Sequence, residues 1–486
     1  MAIPEIFPRP KIRAGWVTIL MGLTIFVTAP GCGMNARKAA QENGPENVVL
    51  IVVDTLRADR LEATRNEIPV MPRLKARSET GWNFTRAISP GSWTKPSMAS
   101  MFTSLYPEVH NVQFLVSNTD PKAPVMTDVL AEDIETLGTY MKEHGYATAA
   151  VQANSLLQEV GAERGFDSYE FLPYPEYRAN RITEAALEVI ADLESPFFLY
   201  VHYMDPHAEY TPPEEYREIF GPLPEISRQD AEILKEWPDY YMDRIWHDQR
   251  MSSKRKFADL SESARERMRI LYDGEARFID DQVDRLLDAV DARHPNTFTI
   301  LTADHGEELW EHGSVGHGKS VYEEVVHVPL FMTGPGLNRS RIEELVQTFD
   351  ILPSIAHRLG LVPRSHWQGR SLFNSVKDSA KSRPAFVNNL GSYKSTGMEQ
   401  WAVYSSHFKL VKYLNSDRQF LFDLAADPNE TDDVSAADAP QVKLMTDQLT
   451  THREQNQLHV LYSGAALESP MPPDLEERIG GIGYLK

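Results

Sequence analysis

NVVLIVVDTLRAD, residues 47–59, decides the fold. After Asn47, Val48 to Val53 form an unbroken apolar, mostly β-branched run, the pattern of a strand buried on both faces of a parallel sheet. The run ends in an acid, Asp54. Three similar runs follow: YATAAVQ (146–152), PFFLYVHYM (196–204) and FTILTA (298–303). Helical patterns alternate with them, IETLGTYMKEHG before the first of the three and ARERMRILYDGEARFIDDQVDRLLDAVDAR (264–293) before the last. Strands alternating with helices predict an α/β fold with a mixed, mainly parallel sheet between helices.

Downstream of residue 375 the period changes. WAVYSSHFKLVKYL (401–414) and RQFLFDL (418–424) alternate like antiparallel strands, and an amphipathic helix is expected over 440–455. The reading is a large α/β domain over 47–375 and a small antiparallel α+β subdomain over 376–486. A polar stretch containing Trp and Tyr, residues 221–261, has no clear period and reads as a lid or surface insertion.

Composition sets the bounds. The chain has 486 residues, of which 42% are hydrophobic, so a sizeable core is available. Its 49 basic and 70 acidic residues give a net charge of −21, with no long basic run after the first forty residues, and this excludes nucleic acid as a partner. At the start, Arg9, Lys11 and Arg13 precede the mostly apolar run AGWVTILMGLTIFVTA (14–29), which is short for a membrane span. The single cysteine, Cys32, follows immediately. Residues 1–32 resemble a bacterial lipoprotein signal, and residues 33–46 read as a polar tether. A cleaved secretory signal and an uncleaved anchor remain as alternatives. Each exports the rest of the chain, so the expected location is extracytoplasmic, in the periplasm or at the cell surface, held to the membrane through an amino-terminal lipid. One cysteine also excludes an internal disulfide.

Ligands of open parallel sheets bind at the carboxyl ends of the strands. Two such ends are conspicuous: Asp54 leaves the first strand, and Asp304 with His305 leaves the last. Two carboxylates and an imidazole suit one divalent cation, and Ca²⁺, Mg²⁺, Mn²⁺ and Zn²⁺ all remain open on ligand type. Taken singly, Asp54 capping a turn and His305 as a satisfied buried histidine are the simpler readings; together they favour a site. The stretch GSWTKPSMASMFTSL (91–105) predicts a helix with Thr94 at or just before its first turn and Pro96 where proline is tolerated. Thr94 would then face an anion-binding helix end, although on sequence physics alone an ordinary threonine N-cap is the better account of it.

Several motifs occur in order: VVDTLRAD, TKPSMASMFTSLYP, ERGFDSYEF, FFLYVHYMDPHAEYTPP, YDGEARFIDDQV, TADHGEELWEHGSVGHGKSVYEEVVHVPLF, FDILPSI and FDLAADPNETDDV. In this set the chain resembles the sulfatase family of the alkaline phosphatase superfamily, over nearly all of its length after Asn47. The resemblance implies that Asp54, Asp304 and His305 bind one divalent cation together with the nucleophile position, which falls on Thr94. It places His207 and His317 at positions that contact the ester oxygens or leaving group, with Lys319 nearby. His312, Glu307 and Glu308 support the site or are solvated loop charges. Family sulfatases oxidise a cysteine or serine in C-x-P-x-R to formylglycine. Here Thr94, Lys95, Pro96, Ser97 and Met98 stand in that motif, so no formylglycine is expected. TAAVQANSLL replaces a Gly-Lys-Trp-His run, with Asn154 as a polar substitute for substrate binding or as a loop residue.

Threonine nucleophiles occur in the superfamily's phosphoethanolamine and phosphoglycerol transferases, which carry several transmembrane helices, whereas one short export signal precedes Asp54 here. The expected activity is hydrolysis of sulfate, phosphate or phosphonate esters on a small-molecule, glycan or lipid substrate. A phosphoryl-group transferase is the alternative within enzymes, and a non-catalytic metal- or anion-binding protein is the alternative outside them.

Overall fold

In the computed structural model the opening run forms strand β1 (Asn47–Val53), buried along its whole length. The structure describes residues 46–113, 126–158, 160–235, 259–376, 383–390, 399–414, 416–463 and 467–470. The expected signal segment, nearly all of the tether, and residues 236–258 of the proposed lid lie outside the described residues.

Seven more strands share the sheet with β1: β2 (Trp82–Ile88), β3 (Ala147–Gln152), β4 (Ser168–Phe171), β5 (Phe197–Tyr203), β6 (Thr297–Ala303), β7 (His327–Thr333) and β8 (Ser340–Gln347). Their spatial order is β8-β2-β7-β6-β1-β5-β3-β4. β1 pairs in parallel with both β5 and β6, Val53 lying opposite Tyr203 and Ala303. The chain therefore leaves three central strands at one edge, which brings Asp54, Met204 and Asp304 together. β3, β4, β2 and β8 keep the same direction, and β7 alone runs against its neighbours β6 and β2. The β7 register shifts between Val328 and Leu330, where Pro329 has no N–H to give the ladder.

Helices cover both faces. Side chains alternate along β5, and Tyr200 meets Phe102 of helix α1 (Thr94–Thr103) edge-on at 5.1 Å. From the opposite face, the Tyr203 hydroxyl lies 2.9 Å from Thr183 of helix α2 (Ala179–Asp192). The long helix α3 (Glu262–Arg293) starts at Ser261, whose hydroxyl accepts the Ala264 N–H at 3.2 Å. Its acidic stripe of Asp281, Asp284, Asp288 and Asp291 meets Arg73 and Arg77 of the short helix Pro72–Ser78.

The carboxyl-terminal part is a four-stranded antiparallel sheet of β9 (Ala385–Asn389), β10 (Gln400–Ser405), β11 (Phe408–Tyr413) and β12 (Gln419–Asp423). Helix α4 (Ala439–Ser463) packs on it through Val442, Met445 and Leu449, which share a core with Trp401, Val403, Leu410 and Leu421. A parallel bridge between Gly91 and Asn388 ties this sheet to the loop ahead of α1. Among the described residues, no helix is long and apolar enough to cross a membrane.

Candidate active site

Asp54 emerges from β1 with its amide held by the Tyr203 carbonyl at 2.8 Å. One carboxylate oxygen, Oδ2, accepts from Asn154 Nδ2 at 2.7 Å and from His202 Nε2 at 3.3 Å; the other, Oδ1, is buried with no hydrogen-bond partner. Asp304 is arranged alike. Its Oδ1 takes the amides of His305 (2.8 Å) and Thr55 (3.3 Å), and its Oδ2 is buried and unpartnered. His305 Nδ1 lies 2.9 Å from the Gly306 carbonyl, which can only accept, so Nδ1 carries the proton and Nε2 the lone pair. That Nε2 lies 3.3 Å from Asp304 Oδ2 and 3.9 Å from Asp54 Oδ1. The ligand atoms of the three side chains fall within 4.8 Å of one another. Two unpartnered buried oxygens and a lone pair converge, an arrangement that fits a divalent cation.

The electrostatics agree. Burial alone would raise the Asp54 carboxyl, but the His202 hydrogen bond and the His207 and His305 imidazoles outweigh it and hold Asp54 well below the usual carboxylate range. Asp304 is pushed up to about 7 by burial and by the neighbouring Asp54 charge. Burial lowers His305, which keeps its imidazole neutral and able to ligate.

Thr94 is the first residue of α1. The N-cap is Trp93, with extended backbone and no side-chain cap bond, so Thr94 is not the cap. Its hydroxyl instead lies 3.4 Å from His305 Nε2. The helix end is fixed by Ser89, whose hydroxyl donates to the Asp304 carbonyl at 2.5 Å and accepts from the Ser97 hydroxyl at 2.9 Å. Lys95 is fully buried, its ammonium donating to the Asp128 carbonyl at 2.7 Å and to the Thr127 hydroxyl. Met98 lies in the main apolar core.

Two more imidazoles complete the cluster. The His317 ring lies 4.3 Å from that of His305 and 5.2 Å from that of His207. His317 donates through Nδ1 to buried Glu307 at 2.9 Å, and His207 through Nδ1 to the Ala208 carbonyl at 2.7 Å. Both rings are thereby fixed with Nε2 as the proton-exchanging nitrogen.

Other residues expected at the site are placed differently. Asn154 is committed to the protein: Nδ2 goes to Asp54, and Oδ1 accepts the Leu156 amide at 2.8 Å. It steadies a ligand-bearing carboxylate instead of reaching toward substrate. The Lys319 ammonium donates to the Val315 carbonyl. Glu307 and Glu308 are buried, not solvated loop charges. His312 stacks on Tyr322 at 3.6 Å and, with Glu324 and Glu430, forms a second acid–imidazole group; Lys409, 2.7 Å from Glu430, already supplies positive charge there.

The sequence reading passed over His202. Its signal was a histidine inside an otherwise apolar strand, two residues before the edge where Asp54 emerges. Register was needed to make it meaningful, because Val52 opposite His202 sets the two strand ends side by side.

A hydroxyl at a helix start beside a cation-ready pair of aspartates and three imidazoles, all at the strand-end crevice of this sheet, defines an ester hydrolase of the alkaline phosphatase superfamily. Within it the chain belongs to the sulfatase family, whose model matches residues 46–361. A model of the N-sulphoglucosamine sulphohydrolase carboxyl-terminal region matches residues 311–458. The chain is 26% identical over 372 residues to the Delta 4,5-hexuronate-2-O-sulfatase of Bacteroides thetaiotaomicron, covering 69% of this chain and 73% of that protein. It is 25% identical over 394 residues to iduronate 2-sulfatase of Homo sapiens, covering 71% and 69%. Similar solved structures include a 2-O GAG sulfatase (TM-score 0.68, 20% identity, 85% of this chain and 93% of that one). Another is the phosphonate monoester hydrolase from Silicibacter pomeroyi (TM-score 0.66, 20% identity, 86% and 96%). The structural likenesses agree with the fold of a large mainly parallel sheet followed by a small antiparallel one.

Proposed function

We propose that the chain is an exported, lipid-anchored, cation-dependent hydrolase of sulfate, phosphate or phosphonate esters, with Thr94 as the nucleophile. The observation that carries this reading is the position of the Thr94 hydroxyl, 3.4 Å from His305 Nε2 at the start of α1. Asp54, Asp304 and His305, with Thr94 itself, would hold one divalent cation, of the Ca²⁺, Mg²⁺, Mn²⁺ or Zn²⁺ type. When bound, the cation supplies a lowered hydroxyl pKa and offsets charge on the ester.

The remaining chemistry falls to the chain's own residues. The first turn of α1 offers the positive end of the helix dipole to the non-bridging oxygens. As the bond from Thr94 Oγ1 to sulfur or phosphorus forms, the threonine proton passes to the free Nε2 of His207 or His317 and the bond to the ester oxygen breaks. His207 or His317 returns a proton to the departing oxygen through Nε2. Water then attacks the threonine ester, regenerating the hydroxyl and freeing the acid. A threonine requires no oxidation to formylglycine for this route.

The hexuronate and iduronate sulfatases among the relatives supply the substrate class carried to this chain, an anionic ester on a glycan or similar polar headgroup. Cys32 directly after an apolar run supports lipid attachment and an extracytoplasmic site of action.

The test uses the full chain loaded in turn with each of the four cations. Aryl sulfate, phosphate monoester, phosphodiester and phosphonate monoester are offered, with Thr94→Ala as control. Turnover of one class that vanishes in the control is the expected result. Turnover that survives in Thr94→Ala would remove the threonine mechanism, and capture of the acid group by an added alcohol in preference to water would make the chain a transferase.

A further inference from the structure

We infer that His202 is a positioning residue for the cation site: it locks the Asp54 carboxylate so that Oδ1 faces the ion. The inference rests on the cation site proposed above. Asp54 follows a strand end, and of its two carboxylate oxygens only Oδ2 has hydrogen-bond partners, which set how the carboxylate is turned. Two donors touch it, Asn154 Nδ2 at 2.7 Å and His202 Nε2 at 3.3 Å.

The His202 tautomer is fixed from both sides. A carboxylate accepts only, so Nε2 carries the proton and Nδ1 the lone pair. The Tyr200 hydroxyl lies 2.7 Å from Nδ1 and donates to it. Tyr200 and His202 are two residues apart on β5 and share one face of the sheet. Both are fully buried, and the Tyr200 ring packs edge-on against Phe102 of the helix that begins at Thr94. A rigid line of contacts therefore runs from the nucleophile's helix through Tyr200 and His202 to a ligand of the ion. Strand register holds it in place, with Val52 opposite His202 and Val53 opposite Tyr203.

Partners that orient metal ligands set affinity as well as geometry, and their loss costs roughly 10–100-fold in metal binding. Replacing His202 with leucine leaves Asn154 as the only donor to Oδ2, so the carboxylate is free to turn. Glutamine can place its amide nitrogen near the Nε2 position and keep the donor. Asparagine, one carbon shorter, cannot reach.

The experiment titrates the full chain with Mn²⁺, following free ion by electron paramagnetic resonance, and with Ca²⁺, Mg²⁺ and Zn²⁺ by calorimetry. His202→Leu, His202→Gln, His202→Asn and Tyr200→Phe are compared with the parent. Expected are a 10–100-fold weaker affinity for His202→Leu and His202→Asn, rescue to near parental affinity for His202→Gln, and a smaller loss for Tyr200→Phe. Equal affinity in the parent and His202→Leu overturns the proposal. Should His202→Leu fail to fold, equal affinities of the glutamine and asparagine variants do the same. Asp54→Asn separates the levels: if it leaves ion binding intact, or if the parent binds none of the four ions, the cation site itself fails. If Asp54→Asn weakens binding and the His202 variants do not, only the role of His202 fails.

Discussion

At the scale of single residues, the site is built from groups whose polar atoms are half satisfied. Asp54 and Asp304 each give one oxygen to the protein and leave the other buried and unpartnered. A buried unpaired carboxylate oxygen is costly, so the cation should stabilise the fold. We expect chelation to lower the melting midpoint; an ion present at a hundred times its dissociation constant contributes about 2.7 kcal/mol. Asp304→Asn should abolish this difference in differential scanning calorimetry. Thr94→Ala should lower kcat roughly 10³-fold or more while ion affinity persists, whereas Thr94→Ser, which keeps the hydroxyl, should retain measurable turnover. Steady-state kinetics and ion titration on the same samples separate the two effects. Asp54, Asp304 and His305 were legible as candidates because strand ends mark them, whereas Thr94 at a helix start reads locally as an N-cap and is singled out only by the family resemblance. His202 was not legible, because a histidine inside an apolar strand gains meaning only from the strand laid beside it.

At the scale of elements, the loop leaving β6 shows why glycine follows His305. A side chain at Gly306 would put its Cβ 2.2 Å from the Glu324 carbonyl oxygen and 3.3 Å from Arg57 Cγ. The Gly306 amide donates to the Val325 carbonyl at 2.7 Å, so this loop lies flush against the helical turn Glu323–Val326 that precedes β7. Gly306→Ala must push the loop outward, and overpacking of this kind costs about 1–3 kcal/mol. Because the Gly306 carbonyl anchors His305 Nδ1, the same shift should move the imidazole and weaken ion binding. Urea midpoints and ion titration should therefore fall together; a loss of stability with unchanged ion affinity would separate loop packing from the site. The continuous apolar strands β1, β3, β5 and β6 announced themselves in the sequence, since burial on both faces removes polar residues. β2, β7 and β8 did not. β2 and β8 lie toward one edge and carry polar residues at their exposed positions, and β7 is interrupted by Pro329 at its bulge. The antiparallel β10, β11 and β12 were legible because their alternation is regular.

At the scale of the whole molecule, a chain with net charge −21 buries several acids outside the cation cluster. Burial pushes Glu308 and Glu430 up to about 7, Glu324 up to about 8 and Asp280 up to about 6. A carboxyl raised in the folded state binds its proton there at a pH where the unfolded chain has already released it. Its stabilising effect is complete below the unfolded value and is lost as pH climbs through the folded one. For Glu308, held between the Ser314 amide and the Ser320 hydroxyl, the loss between about pH 4.5 and 7 is on the order of 3 kcal/mol. Self-repulsion of the negative chain adds to it with the same sign. Two buried histidines act oppositely: burial lowers His110 and His452 to about 3, so below about pH 6.5 the unfolded chain takes up protons that the folded chain refuses. Asp54 and Glu323, held below the usual carboxylate range despite burial, lose their contribution only in more acidic solution. Between about pH 5 and 6.5 the four raised acids outnumber the two histidines, so the cation-free protein should be most stable near about pH 4.5–5 and weaken on both sides. Urea unfolding from about pH 3.5 to 8.5 in chelator measures the curve, and Glu308→Gln should raise its alkaline limb while leaving the acidic limb in place. A flat profile from pH 6.5 to 8 would mean that the acids between β6 and β7 keep their charge when buried, and that the compensating cations lie closer to them than Lys409 and Arg57 do.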